Sequence, residues 1–156
     1  MSESSSSPSP APLFHEKLWP AWWIWLLVLG TGAAGFVALA PVSITAGIVA
    51  GIAVVLLLIV LLTVSTPAVT VTSDSLRVGR ATIEREFVGE VSGHRGEDAT
   101  FQRGRGLNAT AFLCLRGWID PVVRIEITDP QDTTPYWLAS TRRPEELVAA
   151  LDSVRA

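Results

Sequence analysis

The chain has 156 residues, a formal net charge of −3, 49% hydrophobic residues and a mean hydropathy of +0.39. No basic excess points to nucleic acid, and the single cysteine, Cys114, excludes an intrachain disulfide. From Leu18 to Ser73 no charged side chain occurs over 56 residues, whereas 11 of the 12 basic residues lie beyond Ser73, so a single soluble domain does not account for the whole chain.

In chain order, residues 1–13 are rich in Ser and Pro and predict a disordered tail. Residues 14–20 read as a short juxtamembrane segment, with His15 solvated or interfacial. Residues 21–40, AWWIWLLVLGTGAAGFVALA, and 42–64, VSITAGIVAGIAVVLLLIVLLTV, are two apolar stretches broken at Ala40-Pro41. At about 1.5 Å per residue, twenty residues span roughly 30 Å, the thickness of a bilayer core. The expected arrangement is a two-helix transmembrane hairpin. Ala38-Leu39-Ala40 has the small-x-small pattern of a signal-peptidase site. Pro41 just after it, and an apolar region longer than a signal peptide needs, argue for retention.

Lys17 precedes the first span, and Arg77 and Arg80 follow the second, while the connection between the spans carries no charge. The positive-inside rule therefore predicts both termini in the cytoplasm. Trp19, Trp22, Trp23 and Trp25 form a cluster suited to anchoring at the headgroup level. Gly30, Ala34 and Ala38 in the first span, and Ser43, Gly47 and Gly51 in the second, recur every four residues. Such stripes allow close helix approach, although spans are commonly rich in Gly and Ala in any case. No ionisable side chain lies inside either span, which argues against transport by this chain alone.

Residues 67–156 predict one small cytoplasmic domain of mostly period-two character. Strands are expected at Val69–Val71, Leu76–Val78, Ala81–Ile83, around Phe87 and Val91, at Ala109–Leu115, at Val123–Ile127 and at Tyr136–Ser140. Gly93–Gly106 reads as a mobile loop. Pro144, with Glu145 and Glu146 beside it, opens a closing helix, whose apolar face is Leu147, Val148, Leu151 and Val154. The expected fold class is α+β: the hairpin, followed by a small antiparallel β-barrel capped by a C-terminal helix. That order of short strands and one amphipathic helix is pleckstrin-homology-like.

Three strings carry a resemblance: Asp74-Ser75-Leu76-Arg77-Val78-Gly79, Leu115-Arg116-Gly117-Trp118-Ile119, and Pro135-Tyr136-Trp137-Leu138-Ala139-Ser140-Thr141-Arg142-Arg143-Pro144. With them, the chain from Phe14 onward resembles an actinobacterial membrane family catalogued as a domain of unknown function (number thirty ninety-three). The ending also resembles bacterial pleckstrin-homology-like domains attached to membrane spans. The resemblance implies two spans in a bacterial plasma membrane and a small cytoplasmic domain, and it carries no catalytic residues.

Chemistry is sparse at the level of motifs, and no catalytic, metal-binding or cofactor-binding residue is assigned. His94 near Glu90, Glu97 and Asp98 reads as a solvated loop histidine rather than a metal ligand. Cys114 reads as a small buried hydrophobe. Gly104-Arg105-Gly106 lacks the strand-to-helix context of a phosphate loop. Arg77 and Arg80 are candidate contacts to anionic lipid headgroups, because they follow the second span closely. Acids interleave with the arginines from Asp74 to Arg105 and bring that stretch to zero net charge, so a solvated mixed-charge surface is the competing reading. Arg116 and Trp118 are candidate partner-docking residues if both are exposed. Convergence of His94, Asp120 and Arg116 in one cleft would favour catalysis. The expected function is a non-catalytic, membrane-tethered adaptor without a cofactor. Its partners would be the lipid bilayer, a protein and anionic headgroups, and not nucleic acid. The alternative is a membrane-associated enzyme, or an accessory subunit of a transport or envelope-synthesis complex.

Overall fold

The computed structural model describes residues 11–153. The chain divides into two compact units: residues 19–66, and residues 1–18 joined to 67–156. Residues 1–10 of the predicted tail and Val154 of the predicted closing helix lie outside the described residues.

The first unit is a helical pair, α1 (Trp22–Leu39) and α2 (Ile44–Val64). Both are long and apolar enough to cross a membrane, and in each only 11% of the most apolar window is buried. Thr31 of α1 and Thr63 of α2 bond back to their own helices, donating to Leu27 O (2.8 Å) and Ile59 O (2.9 Å), and Thr66 just past α2 donates to Leu62 O (2.6 Å). This back-bonding leaves no need for water at those positions. Ser43 caps α2 by accepting from the Ala46 N–H at 3.4 Å.

Close packing of the pair uses glycine, but not the stripe expected in the first span. A Cβ on Gly51 would lie 2.9 Å from the Gly32 carbonyl oxygen, and one on Gly47 2.9 Å from the Phe36 carbonyl oxygen. A Cβ on Gly30 would meet nothing within 4 Å. Gly47 and Gly51 therefore face the partner helix as their spacing predicted, whereas in α1 the contact is made by Gly32, which is buried, and Gly30 lies off the interface.

The second unit holds two four-stranded sheets. Sheet A, in the order β1-β2-β3-β4, comprises β1 (Phe14–Lys17), β2 (Ala68–Val71), β3 (Ser75–Val78) and β4 (Ala81–Glu84), all antiparallel. Sheet B runs β5-β7-β8-β6, with β5 (Val88–His94), β6 (Phe112–Cys114), β7 (Val122–Ile127) and β8 (Tyr136–Ser140). The β6–β8 pair is parallel. The result is two open sheets, one of them mixed, rather than the single antiparallel barrel expected. β6 and β8 can run parallel because the intervening β7 carries the chain back.

The principal core lies between the sheets and helix α4 (Pro144–Asp152), and joins Phe14, Leu18, Val69, Leu76, Ile125, Trp137, Leu147 and Leu151. Burying each large apolar side chain contributes about 1.5–3 kcal/mol. A second cluster, Ala99, Val122, Tyr136 and Leu138, covers the other face of sheet B. It lies under helix α3 (Gly96–Arg103), which occupies the stretch expected to be a loop. The signs of its ends were legible: Glu97 and Asp98 in the first turn and Arg103 in the last suit the helix dipole. β8 is buried along its whole length because both faces are covered.

Segment 14–20 also departs from expectation. Phe14–Lys17 forms the edge strand of sheet A, and its alternation of buried Phe14 and Glu16 with exposed His15 and Lys17 fits a half-buried strand. Its partner β2 lies on the far side of the helical pair in sequence, so the pairing is invisible to any local pattern.

Candidate functional site

β1 runs into α1, and β2 emerges from α2. The two strands pair as Lys17↔Ala68, and the Leu18 N–H donates to Pro67 O at 3.0 Å. The helical pair is thus an insertion between two adjacent antiparallel strands. The β3–β4 turn lies at this same end of sheet A, because Gly79 donates its N–H to Ala68 O at 2.9 Å. Gly79 has φ +60°, which favours glycine there. Arg80 follows it and is exposed.

Arg77, also exposed, lies on the outer face between Thr70 and Thr82, and its Nε donates to Gly79 O at 3.4 Å. The opposite end of sheet A carries Asp74 and Glu84, with Ser75↔Glu84 as the last pair. Arg85 nearby turns to the end of α4 and donates to Leu151 O. Apart from Arg85, which turns to α4, and Glu16, which is buried on β1, the charged groups of sheet A are sorted to opposite ends of a sheet about 10 Å long, so their sum conceals a basic end.

A second constellation fastens β1 to the segment before α4. Glu16, only 6% exposed, accepts from Thr141 Oγ1 at 2.5 Å and from the Arg142 N–H at 3.0 Å. The Arg142 guanidinium lies 3.9 Å from the same carboxylate. Arg143 Nη2 donates to His15 O at 2.9 Å, and its guanidinium stacks 4.8 Å over the Phe14 ring. The Ser-Thr-Arg-Arg-Pro run therefore acts as a clamp on β1. The sequence reading did not single out Glu16, although the alternation Phe14, Glu16, Leu18 could have flagged an inward-facing acid.

Arg116 and Trp118 are both half-buried, with the guanidinium 5.9 Å from the indole centroid, and Trp118 packs against the principal core. Neither side chain is fully exposed. Trp19, Trp22 and Trp23 are exposed, and Trp25 is half-buried.

Around α3 the polar groups form two separate sets. Asp120 accepts from Arg103 Nη2 at 2.6 Å and from the Gly96 N–H at 3.1 Å, capping α3 from a distance. These donors, Arg103 first, hold its carboxyl below the usual carboxylate range. Asp120 lines an open cleft with Glu97, Phe101 and Arg105, to which neither His94 nor Arg116 contributes. His94 instead bridges Ser92 and Asp98: its Nε2 lies 2.9 Å from Ser92 Oγ, and its Nδ1 lies 2.5 Å from Asp98 Oδ2. His94 is thus a partnered side chain on β5 and not a solvated loop residue. Cys114 is buried, which pushes its thiol up, consistent with a packing role. Among the described residues no group of three or more His, Cys, Asp or Glu side chains is disposed to hold a metal ion.

A family described as "Protein of unknown function (DUF3093)" matches residues 13–151. No curated protein and no solved structure matches the chain.

Proposed function

We propose that this chain, which belongs to the DUF3093 family, is a membrane-tethered binding module whose basic sheet end meets anionic headgroups. In this reading α1 and α2 cross the bilayer of a bacterial, actinobacterial plasma membrane as a hairpin. The two-sheet unit lies on the cytoplasmic side as a pleckstrin-homology-like module, open rather than closed.

The observation that carries this reading is the sorting of charge in sheet A. Arg80, Arg77 and Lys17 lie toward the end at which the helical pair enters and leaves, and Asp74 and Glu84 lie at the other. Near an anionic leaflet each cation contributes about 1 kcal/mol and the field decays within about 10 Å, so this polarity favours one end of the sheet over the other. Two spans whose outer ends return to paired strands support a common side for both flanks, and the positive-inside rule makes that side cytoplasmic. The helices expose Leu26, Leu29, Ile52, Leu57 and Leu61 on a scale that lipid, not water, accommodates. Cleavage after Ala40 would remove β1, with buried Phe14, Glu16 and Leu18, which supports a retained first span. The layout of two four-stranded sheets, with α4 against β5, β7, β1 and β2, supports the pleckstrin-homology-like comparison.

The test is a reporter fused after Ala156, combined with the intact mass of the protein extracted from membranes. Cytoplasmic reporter activity and a mass that includes Phe14 are expected. Reporter activity only outside the cell, or a mature chain beginning at Pro41, overturns the reading.

A further inference from the structure

Ser92 and His94 alternate on β5 and project from one face of sheet B, and Asp98 follows one turn into α3. Their side chains form a continuous chain, Ser92 Oγ to His94 Nε2 at 2.9 Å and His94 Nδ1 to Asp98 Oδ2 at 2.5 Å. The carboxylate dictates the proton positions. An ionised carboxylate only accepts, so Nδ1 must carry the hydrogen. When the imidazole is neutral, Nε2 is then the acceptor, and among the described residues its partner is the Ser92 hydroxyl. The serine proton is therefore aimed at a base whose tautomer is held by an acid, which is the arrangement that activates a serine nucleophile.

Ser92 also borders a polar pocket of about 310 Å³, lined with it by Glu90, Arg124, Glu126 and Pro135. His94 is behind the serine, with its side chain only 14% exposed, and does not line this pocket. Arg124 is the direct cross-strand partner of Ser92 and the only cation in the lining. Its guanidinium is stacked 4.0 Å over the Tyr136 ring, which holds it on this face of the sheet. Asp98 is 60% exposed, so its pairing contributes little to stability.

We propose that Ser92, His94 and Asp98 form a hydrolytic site for small, polar carboxylic esters, with Arg124 facing the developing oxyanion. The Ser92 Oγ–carbon bond forms as His94 Nε2 takes the hydroxyl proton. The ester carbon–oxygen bond breaks, and the departing alkoxide receives that proton and leaves as the alcohol. Water then attacks the acyl-serine, with His94 again accepting a proton and returning it to Ser92 Oγ. The products are a carboxylic acid and an alcohol. The pocket lies at the small end of the range for ligand sites, which limits the acyl group to a short one. Asp98 is a positioning residue in this scheme. The inference goes beyond the membrane-tethered reading and does not depend on it.

The test uses the full-length chain in detergent micelles, with a fluorophosphonate reagent and p-nitrophenyl acetate as probes. The expected result is one phosphonyl adduct on the peptide carrying Ser92, formed with loss of fluoride, and hydrolysis of the ester. S92A should abolish both, and H94A should slow labelling on the order of 100-fold or more. D98N should lower kcat more than it raises KM, which loss of a merely structural contact would not do. R124Q should slow ester turnover while leaving a folded chain by circular dichroism. A folded wild-type protein that takes up no label overturns the proposal. So does label that persists in S92A, or a labelling rate unchanged in folded H94A.

Discussion

The Thr141 hydroxyl donates a 2.5 Å hydrogen bond to the Glu16 carboxylate across 125 residues of chain. The Arg142 N–H reaches the same carboxylate, so the strand preceding the helical pair is held by the segment preceding the last helix. E16A would leave the Thr141 hydroxyl and the Arg142 N–H without their acceptor in a buried place. Unsatisfied buried groups of this kind cost about 1–3 kcal/mol each. E16A is expected to destabilise the two-sheet unit by about 2–4 kcal/mol, and E16Q, which keeps one acceptor oxygen, by less. Denaturant unfolding of the purified full-length chain followed by amide exchange of β1 and β8 measures both.

Because Leu18 and Pro67 are already hydrogen-bonded neighbours, residues 19–66 can be replaced by a short turn of the kind that joins antiparallel strands. The resulting chain is expected to be soluble and folded, with both sheets intact. Amide exchange should protect β1, β2 and β3. If β1 exchanges freely while β2 and β3 stay protected, the pairing of β1 depends on the helical pair itself.

That short-turn variant also tests the basic end. It should bind vesicles containing phosphatidylserine and not vesicles of phosphatidylcholine, and binding should weaken as salt rises. R77Q and R80Q should each weaken vesicle binding about fivefold, matching about 1 kcal/mol per cation near an anionic surface. Charge-neutralising E84Q, at the opposite end of sheet A, should change binding far less. Equal effects from all three substitutions would mean that the sheet has no preferred end.

Within the helical pair, G51L places a side chain against the Gly32 carbonyl, which a bare Cβ already meets at 2.9 Å. Backbone cannot yield as a flexible side chain does, so separation of the helices at a cost of about 1–3 kcal/mol is expected. G30L is expected to be silent, because nothing lies within 4 Å of that position. Cross-linking between cysteines placed on the facing sides of α1 and α2 separates the two outcomes.

Acid should remove one tie between α4 and the end of β5. Glu145 accepts from Arg95 Nε at 2.8 Å and Nη2 at 2.7 Å, and this bidentate donation lowers its carboxyl to about 2. A carboxylate with a depressed folded value contributes its stability above the ordinary carboxylate range near 4.5 and loses it as the pH falls through about 2. Both side chains are more than half exposed, so screening keeps the contribution modest. The stability difference between wild type and E145Q should therefore be present at pH 6 and vanish near pH 2.

Several of these relationships were legible in the residues. Val69, Val71, Leu76, Val78, Ile83, Val123, Ile125 and Ile127 alternate with polar neighbours, and each lies in the principal core, because a strand's period of two is a local property. Pro144 does open the closing helix. Arg77 and Arg80 were named for their proximity in sequence to the second apolar stretch, and in sheet A they lie toward the end where Gly79 meets Ala68. Trp118 was named for its chemistry, but its half-burial against the core is a matter of packing that no single turn sequence reveals.

What the residues could not disclose depends on partners far away along the chain. β1 is four residues long and becomes a strand only because β2 returns beside it after the helical pair. α3 is eight residues framed by glycines, stabilised by Asp120 from outside its own segment. The Ser92–His94–Asp98 chain needs β5 and α3 to meet at one angle. The sequence by itself determined two apolar helices and a set of alternating strands, since hydrophobic length and period are written in consecutive residues. Only the tertiary structure decided which acid faces inward, which end of a sheet is basic, and which serine meets a histidine, because those are properties of backbone pairings closed over tens of residues.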